Sequence, residues 1–205
     1  MNSGRRRAVG LALGAAALVA VALGRRTPFL ADDVPAYRQK GPAGAPVVVT
    51  EYSDFQCPKC ALVQPDLKNL LAQYEGRVRL EFRPYPLKSH RWSGDASRAA
   101  EAAGLQGRYW EFADQLFAHQ KEWADSPDPQ PLFKDYAAAV GLDPARFEQD
   151  RTGDRVARIV DAARAHAEAL PVPATPTFFV NKRVLVGDLQ LQAMGARFIE
   201  RELEK

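Results

Sequence analysis

Cysteine is the scarcest chemistry-bearing residue in this 205-residue chain: there are two, Cys57 and Cys60, alongside three histidines and two methionines. A zinc site would need two further ligands, and His90, His119 and His166 lack paired metal-ligand spacing. No metal is therefore expected. Haem attachment calls for histidine directly after the second cysteine, and residue 61 is alanine. Excess positive charge in the body is also missing. Five of the 28 basic residues lie before residue 32, where there are no acids, so the remainder carries 23 basic against 25 acidic side chains. Nothing calls for nucleic-acid binding, which needs a clustered basic face. Nor is there an apolar run longer than the 17 residues from Ala8 to Gly24, at the lower limit for crossing a bilayer, which takes about 20.

That run follows Arg5-Arg6-Arg7 and precedes Arg25-Arg26, the pattern of an export signal or N-terminal membrane anchor over residues 1–31. The leading arginines place the N-terminus in the cytoplasm and the body outside, in the periplasm or cell envelope. Ala20-Val21-Ala22 offers small residues for cleavage, and no cysteine follows to carry a lipid. Residues 32–44, with prolines at 35 and 42 and glycines at 41 and 44, read as a linker too short for a dimerisation domain, so a monomer is expected. The 174 residues from 32 onward suffice for one domain with its own core.

The two cysteines form Cys57-Pro58-Lys59-Cys60. Ahead lies a β-branched run, Val47 to Tyr52; behind, apolar residues recur at Cys60, Val63, Leu67, Leu70, Leu71 and Tyr74, one face of a helix. A strand thus delivers a dithiol to a helix start, where unpaired backbone N–H groups and the helix dipole favour a thiolate at Cys57. Lys59 supplies a nearby cation, so Cys57 is expected to be acidic, with Cys60 facing the core. Pro58 and Lys59 tune the pair. A purely structural bridge closing so short a ring would stabilise little.

The segment Ala45 to Cys60, APVVVTEYSDFQCPKC, resembles the active-site strand and helix of the DsbA-like thiol:disulfide oxidoreductases of the thioredoxin superfamily. Ala174 to Val180, ATPTFFV, is similar to that family's cis-proline loop, and Gln106 to Phe112 to its inserted helices; together the matches span roughly residues 42–203. The resemblance implies an α/β thioredoxin-like fold over residues 45–205 with an inserted helical subdomain at about 93–170. It implies that Pro176 follows a cis bond and lies over Cys57, that Thr175 offers its backbone to client segments, and that Glu51 handles the proton of the buried cysteine. A glutamate at a solvated strand end is the alternative for Glu51.

Further along, Pro65 removes a hydrogen bond within the first helix, Gly76 closes that helix, and Val78 to Tyr85 alternates as a half-buried strand. Helical patterns cover 95–105, 109–117, 131–140, 143–149 and 154–170, and Tyr109, Trp110, Ala113, Leu116 and Phe117 read as a core stripe. His90 reads as a packing residue, His119 and His166 as surface residues on helices. Strands at 177–180 and 183–186 and a helix at 189–203 close the chain. Two departures from the family pattern, Ala174 where glycine is common and Asn181-Lys182 in place of Asn-Gly, concern loop geometry.

The expected function is an exported oxidoreductase that introduces disulfides into client proteins through Cys57 and Cys60. The resemblance implies reoxidation by a quinone-linked membrane partner, and the chain needs no cofactor of its own. A reductase or isomerase of the same fold, or a non-enzymatic thioredoxin-fold binding module, are the alternatives.

Overall fold

The computed structural model describes residues 34–205. The leader assigned to 1–31 lies outside the described residues. At the centre is a five-stranded sheet in the order β1-β3-β2-β4-β5. Its strands are β1 (Gln39–Lys40), β2 (Val47–Ser53), β3 (Val78–Pro84), β4 (Thr177–Val180) and β5 (Arg183–Val186). β2 runs parallel to β3 and antiparallel to β4. Being central, β2 is covered on both faces, which is why its residues read as a continuous apolar run.

Between β2 and β3 runs α1 (Pro58–Gln73), whose apolar face buries Cys60, Val63, Leu67 and Leu70. It packs with Val47, Val49, Phe178, Val180 and the closing helix α8 (Gly187–Leu203). Pro65 lies inside α1 without ending it. Gly76, at φ +78°, turns the chain out of the helix into β3, a backbone setting where only glycine is free of strain.

The segment between β3 and β4 holds no strand and forms six helices: α2 (Ser93–Gly104), α3 (Tyr109–Ala118), α4 (Gln120–Ala124), α5 (Gln130–Ala139), α6 (Pro144–Thr152) and α7 (Asp154–Glu168). The expected insertion is present, and the stripe from Tyr109 to Phe117 packs in the core, with Trp110 and Phe117 half-buried and its rings tilted or edge-on to Phe55 and Phe82. α4 was not legible, because five residues are too few for a periodic pattern to declare itself.

Three expectations need correction. The supposed linker is part of the fold from Val34 onward: Gln39–Lys40 pairs with Glu81 and Leu80 of β3, and Arg38 and Tyr37 reach buried Glu101 on α2. Proline and glycine marked its turns, not its freedom. His166 is half-buried, with its Nε2 at 3.1 Å from the Tyr52 hydroxyl. His90 does more than pack, as described below. His119 is exposed at the junction of α3 and α4.

Candidate active site

Cys57 is the N-cap of α1, with an extended backbone (φ −73°, ψ 120°), and Pro58 occupies the first helical position. Proline suits that position because its missing N–H would find no partner there and its fixed φ is already helical. The N–H of Cys60 therefore turns back to the Cys57 carbonyl at 3.0 Å, and both sulfurs are free thiols brought to one end of the sheet.

Their environments differ. Cys57 is pulled down from 9.0 to about 5, chiefly by a hydrogen bond from Cys60, helped by the Thr175 side chain and the backbone N–H groups of Cys60 and Lys59 against the cost of burial. Cys60, fully buried, is pushed well above 9.0 by that burial and by Cys57 beside it. The dithiol is thus polarised: the outer sulfur carries the charge and the inner one keeps the proton. The expected acidity of Cys57 is present, but its leading causes are the Cys60 thiol and helix N–H groups, with exposed Lys59 acting through its backbone N–H.

The Thr175–Pro176 bond is cis. It brings the Thr175 carbonyl to 3.4 Å from the Cys57 sulfur, which donates to it as a thiol. The Thr175 hydroxyl is buried and otherwise unpartnered, available to a thiolate. Gly187 N–H donates to the Pro176 carbonyl at 2.8 Å, tying this loop to the start of α8. At the β4–β5 turn Asn181 takes φ +52°, a left-handed setting that asparagine tolerates, while its Oδ1 accepts from Val48 N–H. Lys182, where the family pattern has glycine, does not take a positive φ, so the turn needs no glycine there.

Glu51, on β2, is fully buried, so the solvated strand end is excluded. Loss of water raises its carboxyl from 4.5 to about 7. Gln64, one turn after Cys60, donates to Glu51 Oε1 at 2.9 Å and to the Cys60 carbonyl at 3.2 Å.

Several residues of the site escaped sequence reasoning. Asp54, fully buried, accepts from Gln56 N–H at 2.8 Å, Leu87 N–H at 2.9 Å and the Ser93 hydroxyl, and lies 2.7 Å from His90 Nδ1. Its own N–H points at the Cys60 sulfur, 3.5 Å away. From the inserted helices, Gln120 donates to the Phe55 and Cys57 carbonyls at 2.7 and 2.9 Å. A buried acid three residues before a C-x-x-C was the available signal for Asp54; nothing local pointed to Gln120.

A C-x-x-C pair capping a helix, a cis-proline loop against it and a buried acid on the neighbouring strand are set on a thioredoxin-like fold. The sequence profile described as Thioredoxin matches residues 35–200, and the chain belongs to that family, with DsbA-like architecture. A thioredoxin-like oxidoreductase from Silicibacter pomeroyi is 26% identical, superimposes with a TM-score of 0.68, and matches over 82% of this chain and 92% of that one. α-DsbA1 from Wolbachia pipientis is 21% identical with a TM-score of 0.71, over 86% of this chain and 98% of that one. Among curated proteins, a Na(+)/H(+) antiporter NhaA 3 from Salinispora tropica is 42% identical over 162 residues, covering 77% of this chain. The chain spans 23% of that relative's length.

Proposed function

We propose that the protein is an extracytoplasmic thiol-disulfide oxidoreductase that oxidises client cysteines, with residues 1–31 as its export signal or membrane anchor and residues 34–205 as its catalytic domain. The observation that carries this reading is the polarised dithiol, Cys57 lowered to about 5 beside Cys60 raised well above 9.0. In the oxidised form a client thiolate attacks the Cys57 sulfur, and the Cys57–Cys60 bond breaks to a mixed disulfide. A second client thiol then attacks the client sulfur of that adduct, forming the client disulfide. Cys57 departs as a thiolate, a good leaving group because the site stabilises it. Two electrons pass from client to enzyme, and an oxidant, in this reading a quinone-linked membrane protein, restores the disulfide. Thr175 backbone groups beside the cis bond align the client chain, and Pro176, lacking an N–H, does not compete for it.

The test is oxidative refolding of a reduced, denatured polypeptide by the oxidised protein. Stoichiometric disulfide transfer is expected, and it is abolished in both Cys57→Ser and Cys60→Ser, neither of which can form the Cys57–Cys60 disulfide; Cys60→Ser mixed instead with an oxidised client accumulates the mixed disulfide. A wild-type protein that reduces an oxidised client but does not oxidise a reduced one would assign the opposite direction.

A further inference from the structure

Val47, Val49, Glu51 and Ser53 alternate along one face of β2, the face against α1. Glu51 and Ser53 are both fully buried there, and each keeps an unsatisfied oxygen: the Ser53 hydroxyl and Glu51 Oε2 make no well-aligned hydrogen bond. Buried polar atoms without partners are uncommon and costly, roughly 1–3 kcal/mol each. Two on the same strand face, two residues apart, call for an account. The Cys60 sulfur supplies one. It lies against the next peptide, 3.5 Å from Asp54 N, and the Ser53 side chain favours the negative form of Cys60 and of Glu51 alike. Ser53 is therefore the side chain that addresses both groups.

We propose that Ser53 is the proton relay between Cys60 and Glu51 during attack of Cys60 on a mixed disulfide; the step rests on the dithiol chemistry proposed above. The Cys60 sulfur forms a bond to Cys57 while the bond from Cys57 to its external partner breaks, the electron pair leaving on the partner sulfur. Cys60 is oxidised and the partner thiol is reduced. The Cys60 proton passes to Ser53 Oγ, whose own proton passes to ionised Glu51 Oε2. Serine suits the task because its hydroxyl donates and accepts at once. The other groups facing this chain are Cys57 on α1, Tyr109 on α3, which feels the Glu51 charge, and Gln64, which holds the second carboxyl oxygen. Gln64 also lines a groove of about 640 Å³ between α1 and α3.

Reaction of the reduced full-length protein with excess dithio-bis(nitrobenzoate) separates the steps. A first burst of coloured thiolate reports attack by Cys57, and a second reports Cys60 displacing the aryl thiolate. Ser53→Ala is expected to slow the second burst relative to the first by about tenfold or more near neutral pH, a loss no larger than the roughly 10²–10⁴-fold that general acid–base catalysis supplies. Ser53→Thr, which keeps the hydroxyl, is expected to restore most of that ratio. In a Glu51→Gln background Ser53→Ala is expected to add no further loss, since the relay then has no acceptor. An unchanged ratio in Ser53→Ala, or the same additional loss in the Glu51→Gln background, would overturn the relay. The aryl disulfide reaction needs no client, so failure to oxidise clients would count against the proposed function and leave this step standing.

Discussion

Cys57 holds a thiolate because donors converge on it: the Cys60 thiol, the Thr175 side chain and the first N–H groups of α1. Folding lowers its pKa from 9.0 to about 5, so between those values the folded dithiol binds fewer protons than the unfolded chain. The Cys57 contribution to the stability of the reduced form is therefore fully present above about 9, declines as the pH is lowered and is lost at about 5. The disulfide form has no such group. Denaturant titrations of the two forms across that range should show the reduced form gaining on the oxidised one as the pH rises. Glu51 has the opposite sign. Its carboxyl is raised from 4.5 to about 7, so its contribution is unfavourable above 7 and vanishes below 4.5. Glu51→Gln should stabilise the protein at pH 8 by roughly 3 kcal/mol, the free energy of that change, with no gain at pH 4. A pH-independent effect would contradict the burial account.

Elements carried the legible part of the site. β2 and α1 could be read because apolar residues recur with the periods of a strand and a helix, the switch between the two placing the dithiol at the helix start. Glu51 stood out as an acid inside an apolar strand. Asp54, Ser93 and Gln120 did not stand out, because their roles depend on partners 39 and 63 residues apart that only the folded chain brings together. The cis state of Thr175–Pro176 came from family resemblance, since base rates favour trans at about 95%. These long-range contacts are testable. Asp54→Ala would strand the Leu87 and Gln56 N–H groups and the Ser93 hydroxyl, and should cost roughly 3 kcal/mol in chemical denaturation. On α2, a methyl group on Gly104 would lie 2.5 Å from the Tyr37 ring and 3.2 Å from that of Tyr109. Gly104→Ala should displace Tyr37 from Glu101 and cost about 1–3 kcal/mol, measured by thermal unfolding.

For the molecule as a whole, two bodies meet at the active site: the sheet with α1 and α8, and the inserted helices. Gln120 joins them by holding the carbonyls on either side of Gln56, while the Gln56 side chain accepts from Trp92 N–H at 2.7 Å. The insertion thereby sets the shape of the turn that presents Cys57. The N-terminal segment 34–40 was misread as linker because two-residue strands leave no periodic trace; its anchors are Tyr37 and Arg38 on buried Glu101. The direction of electron flow follows from the same polarity. On the proposed reading, a stabilised Cys57 thiolate would favour the dithiol over the disulfide and make the oxidised protein a strong oxidant. Equilibration of the Cys57–Cys60 pair with glutathione buffers tests this most directly. The account predicts a reduction potential near about −120 mV, and a value near about −270 mV, that of a reductant, would contradict it.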